Sequence, residues 1–201
     1  MAEENKVEIL KKVRETGGNV KGACTRAIFE YLRMTVEEKK IKEIKEKLKF
    51  YGYSLDPEKI SPVRMYPLDF ELAILFVLQE VLGWQEKEIK ELGRNVPKLS
   101  FIVKFFIRYL VNLELGYKSS PVYWRSHFDI GQIETPEFNL KDKYLVLILK
   151  NFDLHPIYCV FLTGYFETMA KFILNREKVE CFEEECTFKG FPYHKFIIKW
   201  D

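Results

Sequence analysis

The sequence predicts an α+β domain: a helical N-terminal half, then a small antiparallel sheet (strand, strand, helix, strand, strand) packed on helices. Three observations predict this fold. Apolar residues recur at helical spacing from residue 20 to about residue 115. From His127 onward the apolar period shortens to two, which is typical of strands. Apolar residues make up 47% of the 201 residues, which fits a single globular domain over residues 19–201, after a loose or weakly helical lead over residues 1–18.

The helical half divides at glycine, proline and polar residues. Its pattern predicts helices over residues 20–33, 35–50, 68–82, 85–92 and 97–115. The second is rich in Lys and Glu, so most of it faces solvent. The third and fifth are apolar on nearly all sides, and we expect both to be largely buried.

The second half reads as strands around one helix. We expect strands over residues 130–138, 144–149, 178–184 and 193–200, and a helix that begins at Pro156. A proline inside the first strand predicts an edge position.

Charge and composition exclude several classes of function. The chain has 32 basic and 30 acidic residues, so neither nucleic acid nor a membrane surface is an expected partner. The N-terminus lacks the features of a signal peptide, and we find no window suited to spanning a bilayer. We therefore expect a cytoplasmic protein whose four cysteines are thiols or metal ligands, without disulfides.

Four metal-ligating side chains lie in the last quarter of the chain. Glu183 and Cys186 are three residues apart, His194 follows after a turn, and Cys159 lies on the preceding helix. A tight turn would aim these side chains at one ion, since Cys, His and Glu are ligands that zinc uses. The spacing alone equally allows two buried thiols and a core histidine. Cys181 or His155 are alternative ligands.

The same segment resembles the 4-vinyl reductase domain family. It contains Leu-Thr-Gly-Tyr at residues 162–165, then Glu183-x-x-Cys186, Gly190 and His194-x-Phe-x-Ile. That family typically shows Glu-x-x-Cys, a glycine four residues on, and Cys-x-Phe. This chain departs from the pattern at His194, which stands where the family has its last cysteine.

The resemblance implies a metal site and a sensory role. In the phenol-sensing bacterial regulators of the family, a glutamate and three cysteines hold zinc. Applied to this chain, the resemblance implies a structural zinc ion whose ligands are Cys159, Glu183, Cys186 and His194. The helical half is also similar to the wider fold shared by haem nitric-oxide sensors and Golgi-transport TRAPP subunits.

The resemblance further implies a binding module for a small apolar or aromatic molecule, held between helices and sheet. Such a module acts through a separate signalling partner, and relatives form homodimers. Aromatic side chains of the two halves are the candidate pocket lining. They are Phe101, Phe105, Tyr109, Trp124, Phe152, Tyr158, Phe161 and Tyr165.

Three alternatives remain. A reductase-type enzyme is disfavoured because the sequence has no Gly-rich nucleotide-binding motif, although His127 is a candidate acid or base. A haem-type gas sensor would have His127 as its only plausible axial ligand, and the chain lacks the Tyr-x-Ser-x-Arg signature of haem nitric-oxide domains. A dimeric assembly subunit would associate through its apolar helices.

Overall fold

The computed structural model describes residues 3–100, 103 and 118–201, and the helical half comes first. Its α-helices and the two short strands that pair with each other follow the chain. They are α1 (Glu3–Thr16), β1 (Asn19–Lys21), α2 (Gly22–Thr35), α3 (Glu38–Phe50), β2 (Met65–Pro67), α4 (Leu68–Leu82) and α5 (Glu86–Leu99).

The second half builds a four-stranded antiparallel sheet with one long helix between its two hairpins. Its strand order is β3-β4-β6-β5, which confirms the predicted α+β fold. The elements are α6 (Ser120–His127), β3 (Gln132–Asn139), β4 (Tyr144–Lys150), α7 (Pro156–Leu174), β5 (Val179–Glu185) and β6 (His194–Trp200).

The sheet directs one face of β4 and β6 toward α7. Leu147 pairs with Phe196, and Leu149 pairs with His194, so these inward residues alternate with outward ones as the period of two requires. Strand β3 lies at the edge and changes register between Glu134 and Glu137, around its proline. The predicted edge position is confirmed.

Helix α7 lies in the middle of the molecule. By length and composition it could cross a membrane, a property that the sequence scan overlooked, but 78% of its most apolar window is buried inside the fold. A core helix has the same apolar character because every side of it contacts protein. Its burial accounts for the composition without a bilayer.

The N-terminal lead is a helix packed on the domain, where the sequence predicted a loose or weakly helical segment over residues 1–18. Leu10 and Val13 of α1 are buried, and α1 packs on α4. Lys6 pairs with Glu80, and the Arg14 guanidinium donates to Asp69. These contacts hold α1 against α4. Most residues of α1 are charged or polar, so its narrow apolar stripe did not stand out in the sequence as a buried face.

Helix α5 passes through Gly93, where the sequence predicted an end, and it includes Pro97, where the sequence predicted a new helix. The reason is a close crossing with α7. A Cβ at Gly93 would overlap the Phe161 carbonyl oxygen, and a Cβ at Gly164 would overlap the Lys90 carbonyl oxygen. Both glycines are therefore contact positions between helices. The predicted helix over residues 97–115 lies mostly outside the described residues.

Candidate functional site

Four side chains that were predicted to ligate one ion converge beside the N-terminal part of α7. We call Cys159, Glu183, Cys186 and His194 the four-ligand group. One sulfur, nitrogen or oxygen atom from each lies within 4.8 Å of the others. The fold thus gathers residues that are separated by up to 35 positions in the sequence.

Each member of the group occupies a fixed place in the fold. Cys159 lies in the first turns of α7, Glu183 lies near the end of β5, and His194 begins β6. Cys186 precedes a single 3₁₀ turn, and Gly190 then adopts a φ of 90°, which reverses the chain. The turn returns His194 to the side of Glu183.

The His194 ring contacts an oxygen acceptor through each nitrogen. Nδ1 lies 2.8 Å from Glu183 Oε1, and Nε2 lies 3.1 Å from the Phe152 carbonyl oxygen. A neutral imidazole has only one N–H, so it satisfies only one of these acceptors. Nε2 also lies 3.1 Å from the Thr187 hydroxyl, so a neutral ring can donate from Nδ1 to Glu183 and accept at Nε2 from Thr187. A cation between Nδ1 and Glu183 is a second arrangement that this geometry allows.

The two thiols of the group are kept neutral by their surroundings. Burial raises the pKa of Cys159 well above its ordinary value, and the Glu183 carboxylate raises it further. Burial and the same carboxylate also raise the pKa of Cys186. A bound cation would reverse this preference, because thiolates are stabilised by positive charge.

Neither alternative ligand belongs to the group. His155 caps α7, since its Nδ1 accepts a hydrogen bond of 3.1 Å from the Ile157 N–H. Cys181 is buried on the same side of β5 as Glu183, but its sulfur is not part of the group. Cys24, on α2, is also buried and separate from it.

A second feature is an apolar cavity between α6, α7 and the sheet. It encloses about 60 Å³ of space for water-sized molecules. Tyr123 from α6, Ile133 from β3, Leu147 from β4, and Tyr165 and Ala170 from α7 are among its lining residues. The Tyr123 and Tyr165 hydroxyls lie 2.6 Å apart, so one donates a hydrogen bond to the other within a largely apolar surface.

The aromatic residues predicted to line a pocket divide into three sets. Trp124 and Tyr165 line the cavity. Phe152, Tyr158 and Phe161 are buried but lie outside its lining, where they pack against one another in the core. Phe101, Phe105 and Tyr109 lie outside the described residues.

The sequence reasoning missed the aliphatic lining. Ile133, Leu147 and Ala170 line the cavity as fully as the aromatic residues do. The signal available was the alternation of β4, which directs Leu145 and Leu147 to the same face. An aromatic count does not carry that information.

The third feature is His127, which lies at the end of α6. Its ring is 3% exposed, and its Nδ1 lies 3.1 Å from the Tyr123 carbonyl oxygen and 2.8 Å from Ser126 Oγ. Burial lowers the pKa of His127 to about 4, so the ring is neutral at pH 7. Its Nε2 is buried without a hydrogen-bond partner among the described residues.

Comparison with known proteins identifies the fold. No family model and no curated protein match the sequence. Among solved structures, an H-NOX protein from S. oneidensis in the Fe(II)NO ligation state is 12% identical, with a TM-score of 0.66 over 90% of this chain and 99% of that chain. An oxygen-binding H-NOX domain related to soluble guanylate cyclases is 19% identical, with a TM-score of 0.61 over 90% and 95%.

A third structure, from work entitled Modulating Heme Redox Potential Through Protein-Induced Porphyrin Distortion, is 19% identical, with a TM-score of 0.59 over 90% of this chain and 99% of that chain. At these identities the likeness shows the fold alone. The expected kinship with the wider haem nitric-oxide-binding fold is confirmed, whereas the resemblance to the 4-vinyl reductase family stays a prediction.

The comparisons contradict the predicted structural zinc. The matched proteins are H-NOX proteins, and the descriptions that name a cofactor name heme. The zinc assignment is therefore wrong for this fold, and the four-ligand group has no assigned ion.

The described residues do not build a haem site at the cavity. Its described lining contains neither a histidine nor a cationic side chain, and its volume is far below that of a porphyrin. His127 supplies a buried, unpartnered nitrogen of the kind an axial ligand needs, but it is not among the lining residues.

Proposed function

We propose that this chain is a sensory module of the gas-sensing type, which binds a small molecule inside the fold between α6, α7 and the sheet. The apolar cavity at that position carries the proposal. Ligand sites are concave, mostly apolar and provided with a few placed polar groups. Here the polar groups include the Tyr123 and Tyr165 hydroxyls, and Ser120 and Thr135 also belong to the lining.

Spectra of the purified protein under small apolar probes test this proposal. Nitric oxide, carbon monoxide and xenon are equilibrated separately with ¹⁵N-labelled protein, and the Trp124 indole signal is followed. A saturable shift of that signal and of its neighbours is the expected result. The proposal fails if no probe, and no added haem, shifts any signal.

A haem-type gas sensor is the second candidate, and the structural comparisons favour it over the aromatic-ligand and zinc interpretation. His127 supports it, because Nδ1 donating to the Tyr123 carbonyl would leave the Nε2 lone pair available. When bound, haem would supply the iron that holds a gas. His127 would hold that iron through Nε2.

Titration with hemin tests this second candidate. It predicts one bound haem per chain, with a Soret band whose position changes in His127→Ala. The matched control is His155→Ala, which removes a half-buried histidine outside that position. Absence of a stoichiometric complex with the wild-type protein excludes the haem version and leaves the cavity proposal standing.

For the four-ligand group, we propose a bound metal ion whose identity is open. Two thiols, a carboxylate and an imidazole within 4.8 Å of one another form a ligand set for a transition metal. Four protein ligands leave no open position for a substrate, so the ion would be structural. It would join α7 to the β5–β6 hairpin.

Output would require contact with another molecule. A ligand-dependent change would be passed to a signalling partner or across a homodimer. Either arrangement is a proposal, as is the relation to the 4-vinyl reductase family.

A further inference from the structure

We infer that the cavity between α6, α7 and the sheet takes an uncharged molecule of about two to four heavy atoms, held directly by side chains without haem. This inference rests on the proposed sensory function and names its ligand class. It excludes both an aromatic ring and an ionic ligand from the wild-type protein. Volume, polarity and the fixed position of Trp124 support it.

The volume sets the upper size limit. The cavity encloses about 60 Å³, whereas an apolar protein cavity known to hold benzene measures about 150 Å³. Enlarging a close-packed interior requires side chains to leave their preferred rotamers, which destabilises the fold. A diatomic gas, xenon or a short hydrocarbon fits without that cost.

The lining sets the polarity. Ile133, Leu147 and Ala170 present only carbon, and no described acidic or basic residue lines the cavity. Burial raises the pKa of Tyr165 and of Tyr123 above the ordinary value, so both hydroxyls are neutral. Transferring an ion into such a space without a partner is strongly unfavourable.

Trp124 provides a fixed wall and a spectroscopic reporter. Its Nε1–H donates to the Ile130 carbonyl oxygen at 2.9 Å, and its ring stacks on Phe128 with centroids 4.1 Å apart. An indole held on two sides does not move aside for a larger ligand. Its signal should respond to occupation of the cavity.

Two substitutions change the volume in opposite directions. Leu147→Ala removes carbon atoms from the β4 wall, and Ala170→Leu fills the space from α7. Hyperpolarised ¹²⁹Xe NMR and benzene titration, both read at the Trp124 indole, are applied to each variant. Lys171→Leu is the matched control, since it adds a leucine to the next position of α7, outside the cavity lining.

The expected pattern is specific. Wild type and Lys171→Leu bind xenon and not benzene, Leu147→Ala binds both, and Ala170→Leu binds neither. Circular dichroism confirms that each variant is folded. If Leu147→Ala does not fold, Ile133→Val provides a smaller enlargement that should increase xenon affinity.

Three results would overturn the inference. Benzene or hemin binding to the wild-type protein at the cavity would show that the size limit is wrong, while leaving the sensory function intact. Unchanged xenon binding in a folded Ala170→Leu variant would place the site elsewhere. A wild type that binds neither xenon nor any other probe would remove the inference and the proposed function together.

Discussion

His194 and Glu183 pose a problem of charge at the scale of single residues. A neutral imidazole donates to only one of the carboxylate and the carbonyl oxygen that it contacts, and the Thr187 hydroxyl lies 3.1 Å from its Nε2. Cys159 and Cys186 add two ligand atoms within 4.8 Å of that point. One positive ion would satisfy all four side chains, which is why we propose a metal there.

Cobalt(II) titration tests the metal at this scale. The wild-type protein should bind one Co²⁺ and gain a thiolate-to-cobalt charge-transfer band. Metal at a hundred times its dissociation constant should raise the free energy of unfolding by about 2.7 kcal/mol. Cys159→Ser should weaken the band, because it removes one of two sulfur ligands.

Cys181→Ser is the matched control for that experiment. Cys181 is a buried thiol two residues from Glu183, yet it lies outside the group. Its substitution should leave the cobalt spectrum unchanged. Equal loss in both variants, or a wild type without any charge-transfer band, would contradict the proposed site.

The four-ligand group could be predicted from the sequence, whereas the cavity could not. A turn between Cys186 and His194, with ligand-type residues at both ends, restricts where those side chains go. Phe152 and Phe161 were predicted to line a pocket only because they are aromatic and apolar. That property predicts burial, and both are buried, but neither belongs to the lining of the cavity.

The crossing of α5 and α7 dominates at the scale of elements. Gly93 and Gly164 let the two backbones touch, and Arg94 donates to Glu167 at 2.8 Å beside the crossing. Lys90 lies 3.6 Å from the same carboxylate. The cations hold the pKa of Glu167 below its ordinary value, although burial opposes them.

Gly164→Ala tests this crossing. The added Cβ would overlap the Lys90 carbonyl, which belongs to the backbone and cannot rotate away. We expect the free energy of unfolding to fall by at least about 3 kcal/mol, the upper range for overpacking. Urea denaturation followed by circular dichroism measures the change.

Gly83→Ala is the control for the loss of a glycine as such. Gly83 ends α4 with a φ of 67° and has open space around its Cβ position. Only backbone conformation is affected, so the expected cost is about 1 to 2 kcal/mol. An equal or smaller cost at Gly164 would show that the helices separate easily.

The helix predicted to begin at Pro156 passes through Gly164, but the sequence misread Gly93 as a helix end. The two glycines are alike in local sequence terms, since each interrupts an apolar pattern. Only the position of α7 distinguishes a contact glycine from a terminating one. Helix boundaries that depend on such a partner are not contained in a local pattern.

At the scale of the whole molecule, charge is buried where the helical half meets α7. Glu71 of α4 is 1% exposed and accepts hydrogen bonds from Thr25 Oγ1 at 2.7 Å and the Tyr158 hydroxyl at 2.8 Å. Cys24 also donates to it. None of these three partners is cationic, so burial raises the pKa of Glu71.

This carboxyl links global stability to pH. Because the folded pKa of Glu71 is raised above the ordinary 4.5, the folded protein binds its proton more tightly than the unfolded chain. The stabilisation is fully present below pH 4.5 and is lost as pH rises through the raised folded pKa. Above that point the contribution is constant.

Denaturation of wild type and Glu71→Gln from about pH 4 to about pH 8 isolates this contribution. The variant cannot ionise at this position, so the free energy of unfolding of the wild type should fall relative to that of the variant as pH rises. Thr25→Val is a useful second comparison, since losing one donor to the carboxylate raises the folded pKa of Glu71 further and should extend the fall in stability to higher pH. A difference between wild type and Glu71→Gln that stays constant with pH would mean that the folded pKa of Glu71 is not raised, and that the interior between α2, α4 and α7 tolerates the charge.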